Sequence, residues 1–440
     1  MLRQQGIGRR GFLKAAAVPM VVEAGSVRAG AAPAPSDRVV VGLIGVGVRG
    51  RDHHQRKLLA NPRAEIAAVC DVDRNHADRS AQIILSQSRK RVGIYYDFRA
   101  LLERRDIDAV VISTPDHWHS IQAIQAMEAG KDVYCEKPLT LSIAEGRRMV
   151  KVARQYGAVF QVGSQQRSDP RFRQAVALVR NGRLGRLLKV TTHLGMPGTD
   201  QGAFVHPGVW EPVQTPPERL DWDLWLGPAP YKDYSPNRCH FEFRYHLDHS
   251  GGRMTDWGAH HNDIAQWALG ADDSCPVKVD GKGVFNKGGP YNSAGFMEVR
   301  YWYRNGVELV CQNEGGNGVR LYGAHGWIFV SRLRLDASDP EILKAEALPI
   351  DMREYDERNR REEIPGTDEH HNDWLECIKT RKRCVADIES GHRSATVCHL
   401  GNISMRLGRP LEWDPAKEEF IGDPVADILA RKPFRAPWRL

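Results

Sequence analysis

The run Val39-Val40-Val41-Gly42-Leu43-Ile44 leads directly into Gly45-Val46-Gly47-Val48-Arg49-Gly50, and this junction constrains the fold more than any other stretch of the chain. A continuous β-branched and aliphatic run is what a strand buried on both faces requires. The glycine turn behind it opens a predicted helix that runs through Ala60. In such a strand–turn–helix unit the first glycine permits the tight turn and the second lets the backbone approach a pyrophosphate. The third lets helix and strand pack closely, and the helix N-terminus faces the phosphates. Asp71 ends the next apolar run, 21 residues beyond Gly50. An acid there accepts a hydrogen bond from a ribose 2′-hydroxyl and repels a 2′-phosphate, so the reading is NAD rather than NADP. Gly45, Gly47, Val48, Arg49, Gly50 and Asp71 are the candidate cofactor-binding residues of this unit.

Further apolar runs at 65–70, 109–113, 133–135 and 159–162 alternate with helical stretches. Ser142-Ile143-Ala144-Glu145 has the spacing of a capping box, Gly157 is the stop after that helix, and Gly130 ends the one before it. Alternating strands and helices give a doubly wound parallel sheet, an α/β Rossmann domain over residues 38–160. Beyond it the pattern shifts. Ser168-Asp169-Pro170 starts a helix that ends at Asn181-Gly182, and 196–236 is Pro-rich and irregular. Residues 296–303 and 307–312 alternate across Arg304-Asn305-Gly306, which predicts a hairpin, and 319–322 with 327–330 predict a further strand pair. With helices near 371–379 and 391–406 and a poorly structured tail, residues 161–440 read as an α+β substrate-binding domain built on a mostly antiparallel sheet.

Residues 1–34 read as an address. Arg9-Arg10-Gly11-Phe12-Leu13-Lys14 precedes a short apolar stretch at 15–22, then Ala29-Gly30-Ala31 and an Ala-Pro repeat, and this resembles a twin-arginine export signal. The expectation is a periplasmic or otherwise extracytoplasmic protein, with cleavage near 31–34. The formal net charge is +7, and the first 36 residues hold five basic residues and one acid, leaving about +3 on the remainder. That is too mild and diffuse to argue for nucleic acid. No apolar run approaches the roughly 18 residues of a membrane span. The eight cysteines are scattered, with no close pair at metal-ligand spacing. Twin-arginine cargo folds before export, so isolated buried thiols are expected rather than bridges.

Three more segments carry chemistry. Ser113-Thr114-Pro115-Asp116-His117-Trp118-His119 and Tyr134-Cys135-Glu136-Lys137-Pro138 both fall at predicted C-terminal ends of parallel strands, where such sheets bind ligands. Thr114, Pro115, His119, Glu136 and Lys137 are therefore candidate cofactor contacts, with Lys137 also a substrate-facing ammonium. The third segment is Gly251-Gly252-Arg253-Met254-Thr255-Asp256-Trp257-Gly258-Ala259-His260-His261. With these motifs and the glycine turn, the chain resembles the family of glucose–fructose oxidoreductase and inositol dehydrogenase (Gfo/Idh/MocA) over roughly residues 38 to 410. The resemblance implies a Rossmann domain followed by an open, mostly antiparallel sheet domain, and homo-oligomerisation through that sheet. It also implies Lys137, Asp256 and His260 as the catalytic set. Arg167, just past the last strand of the first domain, is a further candidate contact to cofactor or substrate.

The chemistry is consistent with that set. Oxidising an alcohol needs a base for the hydroxyl proton as hydride leaves carbon, and histidine suits the role near neutral pH. Asp256 and His260 are four apart, on one face of a helix, and Lys137 can stabilise charge on the reacting oxygen. The expected activity is hydride transfer between NAD and a hydroxyl carbon of a sugar, polyol or keto-sugar. One alternative is an NAD-dependent glycoside hydrolase acting by transient oxidation and elimination. The other is a non-catalytic binding protein that retains the cofactor fold. No metal is expected, because His240, His246, His249, His260 and His261 match no common zinc spacing. Trp210, Trp222, Trp225 and Tyr231 form either a platform for a sugar face or anchors of an irregular loop. His370-His371 either reaches the cleft or caps a helix.

Overall fold

The computed structural model describes residues 37–195, 211–285, 290–344, 352–353, 355–356 and 365–440. Residues 1–36 (which include the expected export signal), Trp210 and the start of the Pro-rich region lie outside them. Six parallel strands form the first sheet: β1 (Val39–Ile44), β2 (Ala64–Cys70), β3 (Gly93–Tyr95), β4 (Ala109–Ile112), β5 (Asp132–Cys135) and β6 (Phe160–Val162). Their order is β3-β2-β1-β4-β5-β6, so the sheet reverses direction of growth between β1 and β4. Ligands bind at such a switch point, outside the carboxyl ends of the strands. β4 and β5 are buried at every position, which is why β4 is an unbroken apolar run and β5 one from Val133 onward. The short β3, whose residues are half-buried or exposed, is absent from the sequence reading.

The second sheet has nine strands: β7 (Leu187–His193), β8 (Lys278–Phe285), β9 (Ala294–Trp302), β10 (Glu308–Gln312), β11 (Gly318–Gly323), β12 (Gly326–Val330), β13 (Leu335–Ala337), β14 (Leu411–Asp414) and β15 (Glu419–Phe420). They are ordered β13-β12-β11-β7-β10-β9-β8-β14-β15, and every pairing is antiparallel except β7 with β10. Along β9 buried Met297, Val299 and Tyr301 alternate with exposed Phe296, Glu298 and Arg300, the period expected of a sheet covered on one face. Helices Pro170–Arg180, Arg253–Ala268 and Ile388–Leu407 supply that cover. The tail beyond Leu407 is ordered, correcting the sequence reading: β14 extends the sheet and helix Pro424–Leu429 follows. Trp413 and Phe420 are buried there as an edge-to-face pair, which gives the tail its own apolar anchor.

The chain returns to the first sheet near its end. Trp374, Leu375 and Cys377 of helix Glu369–Thr380 join the core beneath Val41, Leu43 and Tyr134. Ile388 and Ala395, on the last long helix, complete the core on the opposite face. All eight cysteines are buried and unbridged, in line with the expectation of isolated thiols.

Candidate active site

The two sheets meet at a cavity of about 930 Å³ above the carboxyl ends of β1, β2, β4 and β5. One end is built from backbone. Gly45 has φ +81°, and a Cβ there would lie 2.7 Å from the Thr114 amide nitrogen. Gly50 packs against the Gly45 carbonyl so tightly that a Cβ would approach it to 2.0 Å, the close helix–strand contact the third glycine serves. Gly45, Gly47, Val48 and Arg49 line the cavity, with Thr114 and Pro115 from the β4 end opposite. Asp71 is fixed by two backbone donors, Val46 N to Oδ2 and Asp73 N to Oδ1, both at 2.9 Å. It also lines the cavity, leaving its remaining lone pairs for a ribose. These residues fit NAD: a glycine cradle, a helix start and an acid at the 2′-hydroxyl position.

The other end is built from side chains. Gly252, at φ +68°, starts the helix Arg253–Ala268, and this helix turns Asp256 and His260 together into the cavity. Lys137, from the end of β5, donates to Asp256 Oδ1 at 2.5 Å and to the Asp256 carbonyl at 3.1 Å. Burial would raise the Asp256 carboxyl, but Lys137 and Arg244 outweigh it and hold the group below its usual range. His260 is pushed well below the ordinary histidine value by burial first, then by the Lys137 and Arg332 charges. Its ring is therefore neutral, as a base must be. With its amide oxygen and nitrogen exchanged, the assignment that satisfies both neighbours, Gln166 donates to the His260 carbonyl at 3.0 Å and accepts from Arg332 Nε at 3.2 Å.

Residues 39–164 match the family model described as "Oxidoreductase family, NAD-binding Rossmann fold", and residues 171–440 match "Oxidoreductase family, C-terminal alpha/beta domain". The chain belongs to the Gfo/Idh/MocA oxidoreductase family. Among curated Gfo/Idh/MocA relatives, the oxidoreductase YrbE of Bacillus subtilis is 34% identical over 157 residues, 35% of this chain and 44% of that protein. An α-N-acetylgalactosaminidase of Shewanella oneidensis is 36% identical over 173 residues, 33% of this chain and 37% of that protein. The chain thus spans less than half the length of these relatives. The WlbA dehydrogenase of Bordetella pertussis, solved with NADH and UDP-GlcNAcA, shares the fold at TM-score 0.60 and 19% identity, over 86% of this chain and 99% of that one. A levoglucosan dehydrogenase solved with NADH and levoglucosan does so at TM-score 0.60 and 18% identity, over 85% and 99%.

Within this Gfo/Idh/MocA frame some expected residues sit elsewhere. Arg167 does not line the cavity. Its guanidinium is buried between Asp263 (2.8 Å) and Asp272 (2.7 Å), so it pins the segment just past β6 to the helix Arg253–Ala268 rather than touching cofactor or substrate. His119 also lies behind the cavity wall, its two ring nitrogens 2.9 Å from the Pro138 and Thr114 carbonyls. It buckles the two strand-end motifs together. His261 points away to Asn317 Oδ1 at 2.7 Å. Trp222 and Trp225 stack with ring centres 4.7 Å apart; Trp225 reaches the cavity wall while Tyr231 is exposed.

Other lining residues escaped the sequence reading. Arg244, Tyr245, Trp257 and Arg332 line the catalytic end, and no spacing rule singles them out. His53 and His54 did carry a signal. His54 is four residues past Gly50, on the helix face that packs on the sheet. The turns Gly50–Gln55 are π-helical, a widening common at functional sites, and they present Asp52 and His53 to the cavity with His54 buried beneath.

Proposed function

We propose that the chain is an NAD-dependent dehydrogenase that moves a hydride between nicotinamide and a hydroxyl carbon of a sugar or polyol. The observation that carries this reading is the Lys137–Asp256 pair and the neutral His260 facing one cavity that begins at the glycine turn. Bound NAD supplies the hydride acceptor at that end. His260 takes the proton of the substrate hydroxyl, Lys137 donates to the same oxygen as charge develops on it, and Asp256 holds the ammonium in place. Trp257, whose ring stacks under the Arg332 guanidinium at 4.7 Å, offers an apolar face suited to a sugar ring.

The test is absorbance of the purified protein with NAD across a panel of sugars and polyols. Growth of the reduced-nicotinamide band with one of them supports the reading, and no NAD binding at all overturns it. The similarity to an α-N-acetylgalactosaminidase favours a second reading, glycoside cleavage by transient oxidation, elimination and re-reduction. Release of free sugar from a glycoside without net NADH would select it. Residues 1–34 support export by the twin-arginine route. Loss of periplasmic protein on replacing Arg9 and Arg10 by lysine checks that. An exported enzyme of this kind retains its cofactor, so protein purified without added NAD should carry it.

A further inference from the structure

Four ionisable side chains outside the Lys137–Asp256–His260 set form a continuous line from cavity to surface. Asp368, the cap of helix Glu369–Thr380, has its two carboxylate oxygens 2.9 and 2.8 Å from His371 Nδ1. His371 Nε2 lies 2.9 Å from His54 Nδ1, and His54 Nε2 lies 2.9 Å from Glu136 Oε1. Glu136 lines the cavity beside Lys137. Both imidazoles have fully buried side chains, whereas that of Asp368 is 24% exposed and opens to water.

Counting protons along this line is decisive. Each of the three links needs one proton between its heavy atoms. Two neutral imidazoles carry one N–H each, and two ionised carboxylates carry none. Whichever tautomers are chosen, one link would then set two lone pairs against each other at hydrogen-bond distance. Buried polar groups do not accept that arrangement. We propose that the chain Asp368–His371–His54–Glu136 holds one proton more than neutral imidazoles and ionised carboxylates supply, and passes it between the cavity and the surface.

The surroundings balance this charge. The chain carries one net negative charge, and Arg49 lies against it, donating to Glu136 Oε1 through Nε at 2.9 Å and Nη2 at 2.8 Å. Gln165 donates to the same oxygen at 2.8 Å, and Lys137 adds its field. His53 packs edge-on against His54, Tyr134 stacks flat on His371 at 5.0 Å, and His370 adjoins Asp368. Burial holds His54 down at about 4 despite the pull of Glu136. Sharing the proton between two carboxylates removes that conflict.

His53, His54 and His371 also offer nitrogens within 4.8 Å of one another, the outline of a metal site. The His54–His371 separation of 2.9 Å is shorter than the roughly 3.3 Å between nitrogens on a tetrahedral zinc. All four ring nitrogens of that pair are already engaged, so the proton chain accounts for the geometry and zinc does not. In the oxidation proposed above each hydride leaves one proton behind. A proton reaching Glu136 lets His54, His371 and Asp368 each hand on its own, the last going to water; reduction runs the same line inward.

Nitrogen NMR of the full-length chain labelled with 15N-histidine settles the proton count without turnover. At neutral pH we expect one imidazole protonated on both nitrogens, with a far-downfield N–H, that disappears in both His371→Gln and Asp368→Asn. Melting temperature and NAD titration confirm that each variant is folded. Spectra with only singly protonated imidazoles at these positions, unchanged by either substitution, overturn the proposal; so does stoichiometric zinc in the purified protein. The transfer step rests on the dehydrogenase reading and is tested apart. In a single turnover followed with a pH indicator, proton release in His371→Gln should lag hydride transfer by about tenfold. Equal lags in variant and parent overturn the route, and if no sugar turns over the NMR result still decides the proton count.

Discussion

The two ends of the cavity are held by different kinds of bond. At the glycine end the contacts are between backbone atoms, or between backbone and the Asp71 carboxylate, and they join the ends of neighbouring strands of one sheet. At the catalytic end Lys137 meets Asp256 across 119 residues, and each comes from a different sheet domain. The glycine end therefore tolerates no added atoms, and its contacts lie within the first sheet's domain. The catalytic end tolerates side-chain change locally, yet depends on how the domains are joined. Rigidity is local at one end and shared at the other.

Substitutions can break this contrast. The largest effect should come from the side-chain end: His260→Ala or Lys137→Met should lower kcat by about 10²–10⁴-fold while calorimetry still finds NAD binding. Next is the buried ion pair just past β6. Arg167→Ala leaves the buried Asp263 without its cation and should cost about 3–5 kcal/mol in denaturant unfolding. Smaller is Gly45→Ala, which sets a Cβ 2.7 Å from the Thr114 nitrogen in a left-handed conformation. It should cost about 1–3 kcal/mol of stability and abolish NAD binding before it alters the second domain. Asp71→Ala should weaken NAD by about tenfold in the same titration and narrow the margin over NADP. The smallest effect is on pH. Because His260 is held below the ordinary histidine value, kcat/KM for oxidation should stay level as pH falls through 6.5 and decline only below it. A decline centred at 6.5 would mean an exposed base.

The same contrast explains what the sequence discloses. The glycine turn, Asp71 and the apolar runs of β1, β2, β4 and β5 are contiguous signals, and each appears where it was expected. Lys137, Asp256 and His260 were identified by resemblance to a known pattern, and the fold brings all three to one cavity. Spacing alone brings together only the last two. Strands β7 and β8 went unread because Lys189 and two threonines break the apolar run of β7, while Lys, Asp and Gly fill most of β8. Arg167 was misplaced because an arginine after a strand looks the same whether it faces a ligand or a buried carboxylate. The proton chain was out of reach: His54 and His371 are 317 residues apart, and only the folded chain sets them side by side.

The late return of the chain to its first sheet has a consequence for biosynthesis. Trp374, Leu375 and Ile388 complete both faces of a core whose strands all precede residue 163. A ribosome delivers those strands first, so the nucleotide-binding half emerges with an apolar flank uncovered and waits for more than two hundred residues to be added before it can close. NAD binding then depends on the finished polypeptide: a prematurely terminated chain lacks the helices that complete the core beneath the nucleotide pocket.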